Sequence, residues 1–236
     1  MSFPAEGEAP FVNAHTHLEG AALPESSSGM QILSLPSFTP GEVIPEWIRY
    51  FSAGYHPAQA DSFSEEALYA LLEDPRCLAV GECGLDPFAP AAMELQQEVL
   101  LRQMILAQNT GKSMVIHCVR RFPEILSLRK KVFRDPSGEV PFLIHGFRAK
   151  ASIGEMLVQA NCILSLSPVW LRHQEVFPEW LKKGGFLLET DMEDSGALPE
   201  LYQQCAVLCN ETLPEFKKQL YLTFCRFAQI LNPSSL

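Results

Sequence analysis

The chain has 236 residues, 47% of them hydrophobic, and a formal net charge of −10. An apolar share of that size excludes compositional disorder, and the lack of any run of about 18 apolar residues excludes a membrane-spanning helix. The acidity excludes tight sequence-independent binding along long nucleic acids, which comes mainly from Lys and Arg on phosphates, but not a site that grips a few phosphates through metal ions. Barrels of roughly 200 to 250 residues commonly fold as one unit, so a single domain spanning residues 1–236 is expected. The opening Met1-Ser2-Phe3-Pro4-Ala5-Glu6 has no basic or apolar signal region. Seven cysteines without CxxC spacing read as reduced thiols. Together these predict a cytoplasmic protein, with a monomer the expected state.

Short apolar runs at residues 11–12, 31–35, 50–54, 77–81, 113–116, 141–144, 162–165 and 186–188 predict strands. Most are continuously hydrophobic, as strands buried on both faces should be. Helix-like stretches separate most of them. Ser62-Phe63-Ser64-Glu65 has the form of a capping box opening the helix before Cys77. Met93, Leu100, Met104 and Ala107 fall on one helical stripe that Gly111 closes. Thr212-Leu213-Pro214-Glu215 starts a last helix carrying Phe216, Leu220, Phe224, Phe227 and Leu231 at helical spacing. Alternating strands and helices indicate parallel βα units, and eight of them predict an α/β protein of the (β/α)₈ TIM-barrel class. The weak link is residues 18–30, too polar and too short for a full crossover helix.

Barrel enzymes carry their chemistry at the carboxyl ends of the strands. Here His15 and His17 follow strand one, His56 strand three, Glu82 strand four, His117 strand five, His145 strand six and Asp191 strand eight. Side chains at i and i+2 share one strand face, so His15 and His17 aim at one point. Only His173, of the six histidines, reads as a helix-surface residue. Four imidazoles and two carboxylates exceed the needs of one four-coordinate ion. They suit two ions roughly 3.5 to 4 Å apart sharing a bridging carboxylate, with a metal-activated water as nucleophile. Mixed imidazole and carboxylate donors favour Zn²⁺ or Mn²⁺ over Mg²⁺.

The strings Asn13-Ala14-His15-Thr16-His17-Leu18, Gly54-Tyr55-His56-Pro57 and Val80-Gly81-Glu82-Cys83-Gly84-Leu85-Asp86 resemble the TatD family of metal-dependent hydrolases. So do Val115-Ile116-His117-Cys118, Ile144-His145-Gly146-Phe147 and Leu188-Glu189-Thr190-Asp191, all in family order. The resemblance implies an amidohydrolase-type TIM barrel and divalent-metal phosphoesterase activity, often described as deoxyribonuclease. It also implies roles. His15, His17 and Asp191 would hold the first metal, Glu82 would bridge, and His117 and His145 would hold the second. His56 would lie near the substrate phosphate, and Asp191 would double as general base. Four departures stand out: Asn13 where Asp is usual, Val119 where Arg is common, Met192-Glu193-Asp194 after the last motif, and a shorter chain. Arg120 or Arg121 could replace the missing arginine.

Several residues keep two readings. Cys83 and Cys118 flank proposed ligands, but strand alternation favours buried apolar positions. Asp86 and Glu189 could orient ligands or shape turns. Trp47, Trp170 and Trp180 could stack on bases or pack in the core. Three functions remain in view: a two-metal phosphodiesterase acting on DNA ends or short oligonucleotides, an ester or amide hydrolase of the same metal-dependent type, as in aminoacyl-tRNA deacylation, and a non-catalytic metal-binding scaffold.

Overall fold

The computed structural model describes residues 9–17, 32–134, 139–172, 177–192 and 195–230. Eight parallel strands follow one another around a single sheet: β1 (Phe11–Thr16), β2 (Ile32–Phe38), β3 (Phe51–Ala53), β4 (Cys77–Leu85), β5 (Ser113–Cys118), β6 (Phe142–Ile144), β7 (Cys162–Leu166) and β8 (Phe186–Leu188). A parallel bridge between Thr16 and Asp191 joins the last strand to the first. It is flanked by hydrogen bonds from the His17 N–H to the Asp191 carbonyl and from the Asp191 N–H to the His15 carbonyl, each 3.2 Å. The sheet therefore closes at its carboxyl end, giving the expected barrel.

Helices α1 (Glu65–Leu72), α2 (Met93–Thr110), α3 (Phe122–Val132) and α4 (Ala151–Gln159) each cover one crossover between successive strands from β3 to β7. The short α5 (Pro168–Leu171) and α6 (Glu179–Gly184) link β7 to β8, and α7 (Leu198–Cys209) and α8 (Leu213–Phe227) complete the chain. Among the described residues one crossover breaks the expected alternation: residues 39–50, between β2 and β3, are turns and irregular chain. Pro40, Gly41 and Pro45 deprive that stretch of helical hydrogen bonding. Residues 18–30 and His173 lie outside the described residues, as does Leu231 of the last apolar stripe. Among the described residues no helix is long and apolar enough to cross a membrane.

The local signals hold with one correction. Gly111 ends α2 in the left-handed conformation (φ 66°), and the Thr212–Glu215 capping box forms at α8. At α1, however, Ser64 caps by accepting from the Ala67 N–H, while the Ser62 hydroxyl donates to the Gln59 carbonyl. The N-cap hydroxyl must face the amide of the third helical residue, and only Ser64 stands at that distance from the helix start.

The seam between β1 and β8 is short of strand pairing, and side chains supply what is missing. The buried Tyr202 hydroxyl of α7 accepts from the Val12 N–H (2.9 Å) and donates to the Val12 carbonyl (3.0 Å). Asn13 accepts from the Thr190 N–H at 3.0 Å and donates to the Thr190 hydroxyl at 2.9 Å. Around this seam Phe11, Tyr202, Phe216, Phe186 and Phe177 form a chain of ring contacts with centroids 4.6–6.0 Å apart.

Candidate metal centre

The strands outrun their apolar cores, and this carries the polar residues to the barrel mouth. β1 continues past Val12 to Thr16, so the fully buried His15 lies within the strand and His17 directly after it. β4 continues past Gly81 to Leu85 and takes Glu82 with it, while β5 ends on His117-Cys118. Gly84 has φ 159°, and a Cβ there would overlap the His117 carbonyl oxygen, so only glycine lets β4 press this closely on β5.

Seven residues from six strand ends converge. Glu82 divides its carboxylate between two groups. Its Oε2 is 3.4 Å from His15 Nε2 and 3.2 Å from His17 Nε2, with Asp191 Oδ1 at 3.8 and 3.6 Å from the same nitrogens. Its Oε1 is 2.8 Å from His117 Nδ1, 2.7 Å from His145 Nε2 and 3.7 Å from His56 Nε2. Within the pairs, His15 and His17 bring their Nε2 atoms to 3.3 Å, and His117 Nδ1 lies 3.1 Å from His145 Nε2. The triads His15–His17–Glu82, His56–Glu82–His117 and His15–His145–Asp191 each gather one ligand atom per residue within 4.8 Å.

Such a cluster needs positive charge at its heart. Burial works to raise the Glu82 carboxyl, yet the His145 and His15 charges and hydrogen bonds from His117 and His145 hold it well below the usual carboxylate range. The hydrogen bond to Glu82 raises His17. Burial opposes charge on His145, but Glu82 and Glu189 lift it well above the usual imidazole value. Protons thus do what cations would do, and nitrogen and carboxylate donors facing one another in a buried space fit divalent ions that would displace those protons. Burial instead pushes His56 down to about 4, leaving it neutral. Its Nδ1 accepts from the Ala58 N–H at 3.1 Å, so its proton sits on Nε2, the nitrogen on the Glu82 side.

A supporting layer fixes the ring orientations. Ser37 Oγ lies 3.4 Å from His15 Nδ1 and 2.5 Å from Ser52 Oγ. Asp86 combines its two readings: one oxygen accepts from the Phe88 N–H (2.8 Å) and the other is 3.4 Å from His117 Nε2. The fully buried Glu189 accepts from the Gly146 N–H (2.7 Å) and the Ser165 hydroxyl, and stands 3.6 Å from His145 Nδ1. Among the described residues Asn13 hydrogen-bonds to no imidazole; its amide is committed to the seam.

Sequence reasoning missed Ser37, Ser52, Gln96 and Gln103. β2 does not stop at Leu35 but runs through Pro36 to Phe38, with Pro36 at a register irregularity where a missing N–H is tolerated. Gln103 grips the Tyr55 N–H and carbonyl (2.8 and 3.1 Å), bracing the residue before His56. Gln96 grips both backbone groups of Asp86, at 2.9 Å each. A signal for these two was present: both are polar residues on the buried face of α2.

The remaining candidates divide clearly. Cys83 is buried against the Val115 carbonyl with its thiol pushed up by burial, and burial pushes Cys118 up to about 12. Arg121 pairs with Glu124 at 3.1 Å, whereas Arg120, at φ 59°, lies at the mouth. Trp170 is buried and Trp180 packs on Phe147, while Trp47 is exposed. Of the divergent Met192-Glu193-Asp194, the last two lie outside the described residues.

The fold and its mouth define a (β/α)₈ barrel with a histidine–carboxylate centre. Residues 44–228 match the family model described as TatD related DNase, and the chain belongs to that family. The matched span contains His56, Glu82, His117, His145 and Asp191, and begins after His15 and His17. Over 133 residues the chain is 31% identical to an uncharacterized metal-dependent hydrolase TatD of Mycobacterium tuberculosis, covering 52% of this chain and 49% of that one. Over 137 residues it is 29% identical to a 3′-5′ ssDNA/RNA exonuclease TatD of Klebsiella pneumoniae, covering 56% and 48%. The chain therefore spans about half the length of these curated relatives. The crystal structure of YJJV, a TatD homolog from Escherichia coli, superposes with a TM-score of 0.72 at 20% identity, covering 93% of this chain and 98% of that one.

Proposed function

We propose that this chain is a two-metal-dependent hydrolase cleaving phosphodiester bonds at nucleic acid ends or in short oligonucleotides. The observation that carries the reading is the division of Glu82 between two imidazole pairs, His15 with His17 and His117 with His145. In this reading His15, His17 and Asp191 would hold one ion, His117 and His145 the other, and Glu82 would serve both. The donor set favours Zn²⁺ or Mn²⁺. When bound, such ions supply Lewis-acid stabilisation of phosphoryl charge and a nucleophile at neutral pH. That reconciles phosphodiester chemistry with a net charge of −10.

The chain's own residues supply orientation and proton transfer. Asp191 keeps a side chain 25% exposed toward the cavity, positioned to accept the proton of the attacking water. The neutral His56 presents its Nε2–H as a donor to a phosphoryl oxygen. Ser37, Asp86 and Glu189 keep the rings aimed, and the buried Gln103 holds the backbone next to His56. Seven unbridged cysteines support a cytoplasmic setting; one domain acting as a monomer completes the reading. The test is hydrolysis by the metal-loaded protein of a dinucleotide, an acyl ester and an amide. Cleavage of the dinucleotide alone, abolished by chelation, is expected. Preference for the acyl ester or the amide assigns the centre to the other hydrolase class, and metal binding without hydrolysis makes it a scaffold.

A further inference from the structure

Two cavities of different charge meet at the centre in the barrel mouth. Both are lined by His117, His145 and Asp191. One, of about 430 Å³, extends past His56, Thr39 and Gln59 to Glu42 and among the described residues has no Lys or Arg in its wall. Glu42 is fixed there, accepting from the Thr39 N–H at 2.5 Å. The other, of about 380 Å³, runs the opposite way between Arg120 and Arg148, and among the described residues its wall holds no carboxylate beyond the shared Asp191.

Those two arginines are unlike their neighbours. Arg121 is tied to Glu124, Arg129 to Glu139, Arg102 to Glu65 and Glu98, and Arg76 to Asp74. Among the described residues no carboxylate pairs with Arg120 or Arg148, although acids outnumber bases 28 to 18 in the chain. Arg120 instead lies 5.5 Å over the ring of Phe88, which is 71% exposed on the loop after β4. An exposed aromatic backed by a guanidinium, beside a cationic groove, is how proteins hold bases and phosphates of single strands without reading sequence.

Resting on the phosphodiesterase reading, we infer that a single-stranded nucleic acid crosses this trough in one direction. The uncharged nucleoside end enters the Glu42 side, and the retained strand leaves over Arg120 and Arg148, which take its next phosphates, with a base stacked at Phe88. An end bearing a terminal phosphate meets Glu42 and is disfavoured.

The probe is a labelled phosphorothioate oligothymidylate, which keeps the phosphate charge and resists hydrolysis, titrated by fluorescence anisotropy onto the metal-loaded protein at several salt concentrations. Each phosphate contact to a single strand contributes about 0.7 to the salt slope, so the double variant Arg120→Gln/Arg148→Gln should lower the slope by about 1.4. Arg102→Gln, which removes one positive charge from the outer helices, should leave it unaltered. Phe88→Ala should weaken binding about tenfold with the slope kept. In parallel, kcat/KM for a longer oligonucleotide should fall further in the double variant than kcat/KM for a dinucleotide. A wild-type protein that turns over neither substrate contradicts the phosphodiesterase reading. Absence of oligonucleotide binding, or a salt slope equal in wild type, double variant and Arg102→Gln, overturns the inferred path.

Discussion

Tyr202→Phe tests how the barrel closes. In a parallel ladder the N–H and carbonyl of one residue face the same neighbour, and those of Val12 go to the Tyr202 hydroxyl at 2.9 and 3.0 Å. Phenylalanine keeps the ring against Phe11 and Phe216, with centroids at 5.0 and 5.6 Å, so packing is preserved and only the hydroxyl is lost. Two buried backbone groups are then unpaired, at about 1–3 kcal/mol each before relaxation, so a loss of about 2–4 kcal/mol is expected. For a chain of this size that is a fall in Tm of about 5–15 °C. Calorimetric melts of the metal-free protein measure it, with the exposed Tyr69→Phe as a control expected within about 0.5 kcal/mol of wild type. Metal affinity should fall in parallel, because His15, His17 and Asp191 hang on the same seam. A Tyr202→Phe variant within about 0.5 kcal/mol of wild type would refute the claim that this hydroxyl replaces strand pairing.

Three further outcomes follow from the centre. Glu82→Gln should abolish most hydrolysis while Cys83→Ser spares it, since only Glu82 faces both imidazole pairs; comparable losses in two folded variants would mean that the strand is misoriented. Asp191→Asn should lower kcat by about 10²-fold or more, with little loss of folding, because Asn tolerates the left-handed backbone (φ 53°) there; retention of most of the kcat at saturating metal would make Asp191 structural. His17 and His145 are raised above the ordinary 6.5, so their contribution to metal-free stability is complete below that pH and is lost as pH rises through the raised values. Metal must displace the same protons, so its affinity should climb over that interval, with proton release in titration calorimetry; uptake of protons would contradict this.

The periodicity of apolar runs was enough to place all eight strands, because strands buried on both faces are apolar throughout. It ended β1, β4 and β5 too early, since the residues that extend them are the polar ones at the mouth, His15, Glu82 and His117. Pro36 hid the last part of β2, and with it Ser37. The irregular stretch after β2 was legible only as an excess of Pro and Gly. Candidate ligands were legible from their place after each run, whereas the layer behind them was not. Whether Asp86 and Glu189 meet a ring or a turn depends on strand register, and Asn13 was drawn to the seam by a residue 177 positions away.

Counting ions tests the central claim most directly. The chain, stripped by chelation, reloaded with Zn²⁺ or Mn²⁺ and freed of excess, is measured by elemental analysis against protein concentration and by native mass spectrometry. Two divalent ions per chain is the expected result, given that Glu82 presents Oε2 to His15 and His17 and Oε1 to His117 and His145. One ion per chain at saturation, or none, would contradict it.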